Sequence, residues 1–471
     1  MHRIIVVGGG ISGLAAAHRL LELSQETGFK VEVLLLEAGR RLGGVIATER
    51  VGDFLLEAGP DSFISEKPWA LRLCERLGIA SSLISTNPSR QNLYVVHKGS
   101  LKLLPEGFFL LAPTRLWPLL STPLFSWTSK LRMGWELFIP RRRAHSDETL
   151  ASFVRRRFGQ EVLDRAAQPL IGGIYAADPE KLSLAATMPR LLEMERTTGS
   201  VIRATRREQR DRQTGSGARW SLFVTLARGM QELVDALATR FPGETVRLGT
   251  KVTDLSWKAA KKTWLATTDR EERLEADGVI LALPSYSSAG ILSSLAPEAA
   301  EQLKSIPYSS TATISLAYRQ EDLPFQLNGF GFVVPAIEKR TIMACTFSSV
   351  KYPGRAPEKH VLIRAFVGGA LQPSLFEQDD RTMENGVRRE LSELIGARTA
   401  APLFCRIYRH PRSMPLYHLG HLELLGKVEA KLANFPTLAL AGNAYRGVGI
   451  ADCVHGGEEA AEKVLSSLKR D

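Results

Sequence analysis

An apolar run, Arg3-Ile-Ile-Val-Val7, leads straight into Gly8-Gly-Gly-Ile-Ser-Gly13 and then into an alanine-rich stretch ending near Ser24. That order confines the start of the chain to strand, tight turn and helix, and Val31-Glu-Val-Leu-Leu-Leu-Glu37 supplies the next strand. The glycines fall as Gly8-x-Gly10-x-x-Gly13, the spacing that a β-α-β unit uses to hold a dinucleotide. The first allows the turn, the second admits a pyrophosphate against backbone, and the third lets helix pack on strand. The helix N-terminus then offers unpaired N–H groups and a partial positive charge to phosphates. Glu37 closes the second strand, where a carboxylate can accept ribose hydroxyls.

The first forty residues do not separate NAD from FAD, since both use this turn. Arg41-Leu-Gly-Gly44 and Gly59-Pro-Asp-Ser62 add two flexible turns close behind, more than a nicotinamide site usually requires, and they favour FAD over two ordinary surface turns. Near the other end, Gly442-Asn-Ala-Tyr-Arg-Gly-Val-Gly-Ile-Ala-Asp452 repeats the device, with glycines ahead of a helix. A helix end aimed at the pyrimidine edge of a reduced flavin would stabilise its negative charge; the alternative is a plain helix cap.

With 471 residues the chain is long enough for two or three cores or one large discontinuous assembly. Its 44% hydrophobic and 24% charged residues are those of a folded globular protein. Cysteines 74, 345, 405 and 453 form no C-x-x-C pair and no spacing with histidine that suits a metal, so disulfide and zinc frameworks are disfavoured and a cytoplasmic setting is expected. The net charge of +11 admits nucleic acid, an anionic membrane or an acidic small molecule. The four apolar residues Ile4 to Val7 are too few for a signal-peptide core. Gly107 to Trp127 is apolar but carries Arg115 and prolines 113, 118 and 123, so no membrane-spanning helix is expected there.

Farther along, Asp147-Glu-Thr opens a helix carrying Leu150, Phe153, Val154 and Phe158 at helical spacing, part of a helical insertion. Residues 203–212 hold five arginines without interleaved aromatics and read as a solvated or substrate-facing polar loop rather than a nucleic-acid surface. A helix at Met230 to Leu237 and strands at Thr245 to Leu248, Thr263 to Thr267 and Gly278 to Pro284 return the chain to α/β texture. Short strands over Thr311 to Arg409, with one helix at Arg381 to Ile395, suggest a second sheet. Leu438 to Gly442 and a final helix with Ala461, Val464, Leu465 and Leu468 on one face end the sequence.

Taken together these segments resemble the FAD-dependent porphyrinogen oxidases, which oxidise protoporphyrinogen IX or coproporphyrinogen III in haem synthesis. The likeness spans nearly the whole chain. It rests on Gly8 to Gly13, Glu37-Ala-Gly-Arg-Arg-Leu-Gly-Gly44, Leu56 to Phe63, Pro169-Leu-Ile-Gly-Gly-Ile-Tyr-Ala176 with Leu182-Ser183, and Gly442 to Cys453. The first two are shared with amine oxidases and carotenoid desaturases, while the Gly-Ile-Tyr-Ala segment and the Gly-Val-Gly-Ile-x-Asp-Cys ending are more particular. The resemblance implies an α/β fold with a discontinuous Rossmann-type FAD domain like that of p-hydroxybenzoate hydroxylase (1–88, 218–295 and 436–471). It also implies a mainly helical domain that in some members touches the membrane (97–202) and a mixed α+β substrate domain (89–96, 203–217 and 296–435).

Carried over by motif, noncovalent FAD would contact Gly8, Gly9, Gly10, Ile11, Ser12 and Gly13, then Glu37, Ala38, Arg41, Gly43, Gly44 and Val45. Gly59, Pro60, Asp61 and Ser62, then Val252, then Gly442, Gly447, Val448, Gly449 and Ile450 complete the set. Val45 stands where some relatives have a polar or basic residue, so only its backbone could serve. The implied reaction removes six electrons in three flavin turnovers, hydride leaving a meso carbon for flavin N5 and O2 becoming hydrogen peroxide; no general base and no metal is assigned. Arg90 is the candidate anchor for a substrate propionate, against a solvated loop arginine, and Ile174 and Tyr175 line the macrocycle or belong to the core. The aromatics of Gly107 to Trp127 beside Arg141-Arg-Arg143 suit either a pocket roof or an anionic membrane surface. An amine oxidase or desaturase on the same fold, and a porphyrin or prenyl-protein escort without catalysis, stay open, as does a homo-oligomer.

Overall fold

A computed structural model describes residues 1–105, 108–109, 112–113, 116–142, 146–214, 221–397 and 401–470; side chains at 108–109, 112–113, 116, 209 and 211–214 are left aside. A five-stranded parallel sheet lies at its centre, in the order Val246–Arg247, Val31–Leu36, His2–Val7, Gly278–Leu281, Leu438–Leu440. The opening strand is central because its residues are apolar on both faces, as a strand covered on both sides must be. Ile4 and Val6 pack with Leu14, Val33, Leu35 and Val464 on one side. Ile5 and Val7 pack with Leu34, Leu36, Val279 and Trp264 on the other. The first helix, Ile11–Thr27, and the last, Ile450–Leu468, lie against each other on the first of these faces. Their approach is close: a Cβ on Gly457 would stand 2.2 Å from the Ser12 carbonyl oxygen.

The second sheet has seven strands, in the order Phe404–Pro415, Tyr308–Arg319, His360–Gly368, Ala344–Phe347, Gly331–Val333, Leu93–His97, Ser100–Leu103. It corrects the expectation of short strands, for Tyr308–Arg319 and Phe404–Pro415 each run twelve residues. It also draws in two strands from the first quarter of the chain, a pairing that local pattern cannot reveal.

Helices between Trp127 and Thr214 form a separate core around Phe153, Val154, Phe158, Leu163 and Leu191. Inside it Arg157 and Glu136, both fully buried, pair at 2.9 Å. The rest of their bonding capacity is largely used: Glu136 accepts from Ser200 Oγ and Val201 N–H, and Arg157 donates to the carbonyls of Ile139 and Gly199. Residues 203–212 are a correction. They belong to the helix Val201–Thr214, whose buried Val201, Ile202 and Ala204 join this helical core. The arginine run reads as loop-like because the polar face is the longer part of the pattern, while three apolar residues at the helix start suffice to dock it. Of the apolar stretch Gly107 to Trp127, residues 107, 110, 111, 114 and 115 lie outside the described residues, as does Arg143. The described part holds a short helix, Leu116–Ser121, and the start of another, Trp127–Trp135. No helix among the described residues is long and apolar enough to cross a membrane.

Candidate flavin site

The opening turn does with backbone what its spacing predicts. Gly8 has φ +109°, and a Cβ there would lie 2.4 Å from the Ala282 carbonyl oxygen. A Cβ on Gly13 would lie 1.9 Å from the Gly8 carbonyl oxygen, so helix and strand could not pack as they do. Gly10 is the contrast: nothing lies within 4 Å of its would-be Cβ. The helix beginning at Ile11 has no side-chain cap at Gly10, so its N-terminus is left for a ligand; Ser12 is buried just inside. An open cradle at the middle glycine between two closed ones fits a pyrophosphate.

Glu37 stands just beyond its strand and accepts from the Gly9 and Gly39 N–H groups, at 2.6 Å each. With Gly8, Ala38, Val252 and Tyr286 it lines a cleft of about 390 Å³ beside the turn. The Gly43-Gly44 turn folds onto the first: Gly43 N–H donates to the Gly9 carbonyl at 2.8 Å, and Gly10 and Gly43 form a bridge. Arg41 clamps it, donating to the carbonyls of Leu42, Gly44 and Ile46. Val45, at its tip, is exposed.

The next turn, Gly59 to Ser62, sits against Val45, since a Cβ on Gly59 would meet the Val45 carbonyl oxygen at 1.9 Å. Pro60 is half-buried between them. Beneath this turn lies a group of buried charges. Arg364 donates to the Gly59 carbonyl, and no described group partners its buried Nε. The Ala58 carbonyl accepts from Thr313 Oγ1 at 2.9 Å and from His410 Nε2 at 2.8 Å. Burial depresses the His410 pKa and so favours the neutral ring, and the Ala58 carbonyl at Nε2 selects the tautomer that carries its proton there. Asp61 accepts from Ser62 Oγ and pairs with Lys351 at 3.0 Å. Burial alone would raise its pKa, but Lys351 and Arg364 outweigh it and hold the carboxyl well below the usual range. Burial pushes Glu57 up to about 7, although the Met230 N–H, Thr48 and nearby arginines favour its charged form.

At the far end of the sequence Gly442 and Gly447 take φ +131° and +146°. Val448 and the exposed Gly449 lead into Ile450, first residue of the last helix. Asp452 in its first turn is held by Lys67 at 2.6 Å, which ties this turn to the residues just after Ser62. The first and last glycine turns meet at the end of the strand between them, a Cβ on Gly8 falling 2.4 Å from the Ala282 carbonyl oxygen and one on Gly442 falling 3.4 Å from that of Leu283.

Of the three candidate substrate residues, Ile174 and Tyr175 end the helix Gln168–Tyr175 and Arg90 comes from another segment. Arg90 is exposed in a turn whose Asn87 N–H donates to the Lys351 carbonyl, on the side of Asp61. Ile174 presents 55% of its surface. Tyr175 is pinned by its hydroxyl to the Thr187 carbonyl at 3.1 Å, and burial with the nearby Asp452 charge raises it to about 12. Lys351, Arg364 and His410 escape a motif reading. Arg364 alone leaves a trace, as the one charge within the apolar run Val361 to Val367.

A family model described as flavin containing amine oxidoreductase matches residues 11–465. A coproporphyrinogen III oxidase of Bacillus subtilis (strain 168) is 34% identical over 99% of this chain and 98% of its own. One of Propionibacterium freudenreichii is also 34% identical, over 98% of this chain and 91% of its own. A crystal structure from Exiguobacterium sp. 255-15, provisionally described as a protoporphyrinogen oxidase, superposes with a TM-score of 0.86 at 30% identity, over 99% of both chains. The chain therefore belongs to the flavin-containing amine oxidoreductases, among the porphyrinogen oxidases.

Proposed function

We propose that this chain is an oxygen-dependent porphyrinogen oxidase of haem synthesis, binding FAD noncovalently and acting on coproporphyrinogen III, protoporphyrinogen IX or both. The observation that carries this reading is the meeting of the two glycine-rich ends of the chain, with the last helix seated on the first across Gly457 and Ser12. A flavin held by the Gly10 turn and Glu37 would supply two-electron oxidation with O2 as the final acceptor, three such oxidations balancing one porphyrinogen and three O2 against one porphyrin and three H2O2. The chain's own residues bind and orient. Gly10 and the uncapped helix receive the pyrophosphate, and Glu37 exchanges its bond to a backbone N–H for ribose hydroxyls. Arg41 fixes the Gly44 and Ile46 carbonyls so that the turn does not fold into the space above it. The Asp61–Lys351 pair and Arg364 stiffen the Gly59 turn from below. Arg90 takes a propionate, and Ile174 and Tyr175 face the macrocycle.

On this reading the labour is divided among a flavin-binding part, a substrate-binding part and a helical part, with 203–214 counted among the helices. The helical part carries a cytoplasm-side membrane contact. In support, Trp117, Trp127, Leu131, Trp135 and Phe138 expose 63–79% of their surfaces on its outer helices, with Lys130 over the Trp127 ring at 4.6 Å.

Steady-state turnover of both porphyrinogens, read by porphyrin fluorescence and peroxide release, tests the reaction. Fluorescence appearing with about three peroxides per porphyrin is expected; purified flavoprotein that leaves both substrates colourless overturns it. FAD should come free on heating, identified by its absorbance and mass. Arg90→Ala should raise KM and leave bound flavin unchanged. Sedimentation with anionic liposomes should carry the chain down, and Trp135→Ser with Phe138→Ser should leave it in the supernatant.

A further inference from the structure

The Asn443–Gly447 turn is held from outside by a segment that no cofactor motif includes. Tyr417 is 2% exposed, and its hydroxyl spans the two ends of the turn, accepting from the Gly447 N–H at 3.0 Å and donating to the Asn443 carbonyl. Its ring stacks on His421 with centroids 4.0 Å apart and planes 11° from parallel. His421 Nε2 in turn donates to the Tyr445 carbonyl at 3.0 Å, in the middle of the same turn. Asn443 completes the attachment by donating from Nδ2 to the Ser413 carbonyl at 3.0 Å. These four bonds all lead back to residues 413–421, while Arg446 pairs separately with Glu429 at 2.6 Å.

The other side of that segment faces the helices. The Tyr417 carbonyl accepts from the Ser183 N–H at 2.8 Å, Leu182 and His418 form a bridge, and Leu416 is buried in the helical core. Ser183 is itself fixed, capping the helix Leu184–Thr187 while donating to Asp147.

We propose that Tyr417 is a positioning residue for the flavin, a clamp that sets the span of the Asn443–Gly447 turn and thereby aims the Gly447–Gly449 backbone and the last helix at the cofactor. The inference rests on the flavin reading above. The chemistry selects tyrosine for a definite reason. One atom must both accept and donate at a buried point between two backbone groups, and a hydroxyl on a rigid ring does so. Without it, the partly buried Gly447 N–H and Asn443 carbonyl lose their shared partner, and the turn relaxes to find others. Gly447 already holds a conformation reserved to glycine, with Asp452 packed against it, so the turn has little freedom to recover its shape.

Tyr417→Phe keeps the ring and its stacking on His421 and removes only the hydroxyl. The flavin dissociation constant should rise about tenfold, the loss expected from one misaligned set of hydrogen bonds. The midpoint potential of the bound flavin should fall by about 30 mV, a tenfold weakening of reduced over oxidised cofactor in a two-electron couple. A purely structural tyrosine would lower the melting temperature and leave the potential where it is. An unchanged dissociation constant and potential in a parent chain that holds flavin overturn the clamp. Hydrogen exchange at the Gly447 amide of the unmodified, flavin-free chain decides independently of the variant. Protection is expected, and exchange at the rate of an unstructured amide overturns the proposal. If the parent retains no flavin, the functional reading fails, while the amide measurement still judges the clamp.

Discussion

The two turns that frame the candidate site are built from different materials. The opening turn is almost all backbone: three glycines, a helix end and a few carbonyls, where fit comes from the absence of side chains. The Gly59 turn, a short distance along the same site, is propped from below by Arg364, His410 and Lys351, the last gripping the turn's own Asp61, and all three come from strands and helices hundreds of residues away. A site made of backbone announces itself by spacing, whereas one made of side chains depends on the tertiary fold to bring its parts together. The two should also fail differently when altered.

The sharpest break is expected at Gly13. Gly13→Ala sets a Cβ 1.9 Å from the Gly8 carbonyl oxygen, backbone that has nowhere to go, so it should cost about 3 kcal/mol or more and abolish flavin retention. Chemical denaturation with a flavin assay on the same preparation checks both. Arg364→Met comes next. Removing a buried cation that faces Asp61 and the Gly59 carbonyl should cost about 3 kcal/mol, yet the opening turn should still take up flavin, more weakly. If Arg364→Met leaves stability untouched, the buried charges are not what props this turn.

A pH series addresses the same support through Glu57. Its carboxyl titrates near 7 in the folded chain against an ordinary 4.5, so the unfolded chain sheds this proton first as pH rises. The contribution is therefore full below about pH 4.5 and lost as pH climbs through about 7, on the order of 3 kcal/mol. Glu57→Gln should flatten that part of the stability profile relative to the parent; an identical slope would assign it to other groups. The mildest effect is expected at Gly10. Gly10→Ala meets open space, so the melting temperature should stay put while flavin affinity falls about tenfold. A variant that binds flavin as the parent does would mean that the phosphates lie elsewhere.

The same distinction explains how much could be read from sequence. The central strand, the glycine turns and the last helix were legible because each advertises itself locally, by apolar runs or glycine spacing. Arg364 sits in an otherwise apolar strand, a hint without an address, since nothing in Val361 to Val367 says that Gly59 lies opposite. Tyr417 gives no hint, its two backbone partners lying 26 and 30 residues away. The helix Val201–Thr214 looks like a loop in sequence because propensity and charge describe its exposed face, while docking is decided by three residues at its start. Pairing of Leu93–His97 with Gly331–Val333 across the chain is likewise a matter of topology, invisible to any local window.

The parallel sheet takes its members from residues 2, 31, 246, 278 and 438 onward, with the opening strand near the middle. On a ribosome the glycine turn therefore emerges first but lacks its neighbours until the last strand and helix have left the tunnel, roughly half a minute or more later at ordinary elongation rates. Throughout that interval the N-terminal strand must be shielded from wrong pairings, and a nascent chain halted anywhere before residue 438 should be devoid of yellow colour.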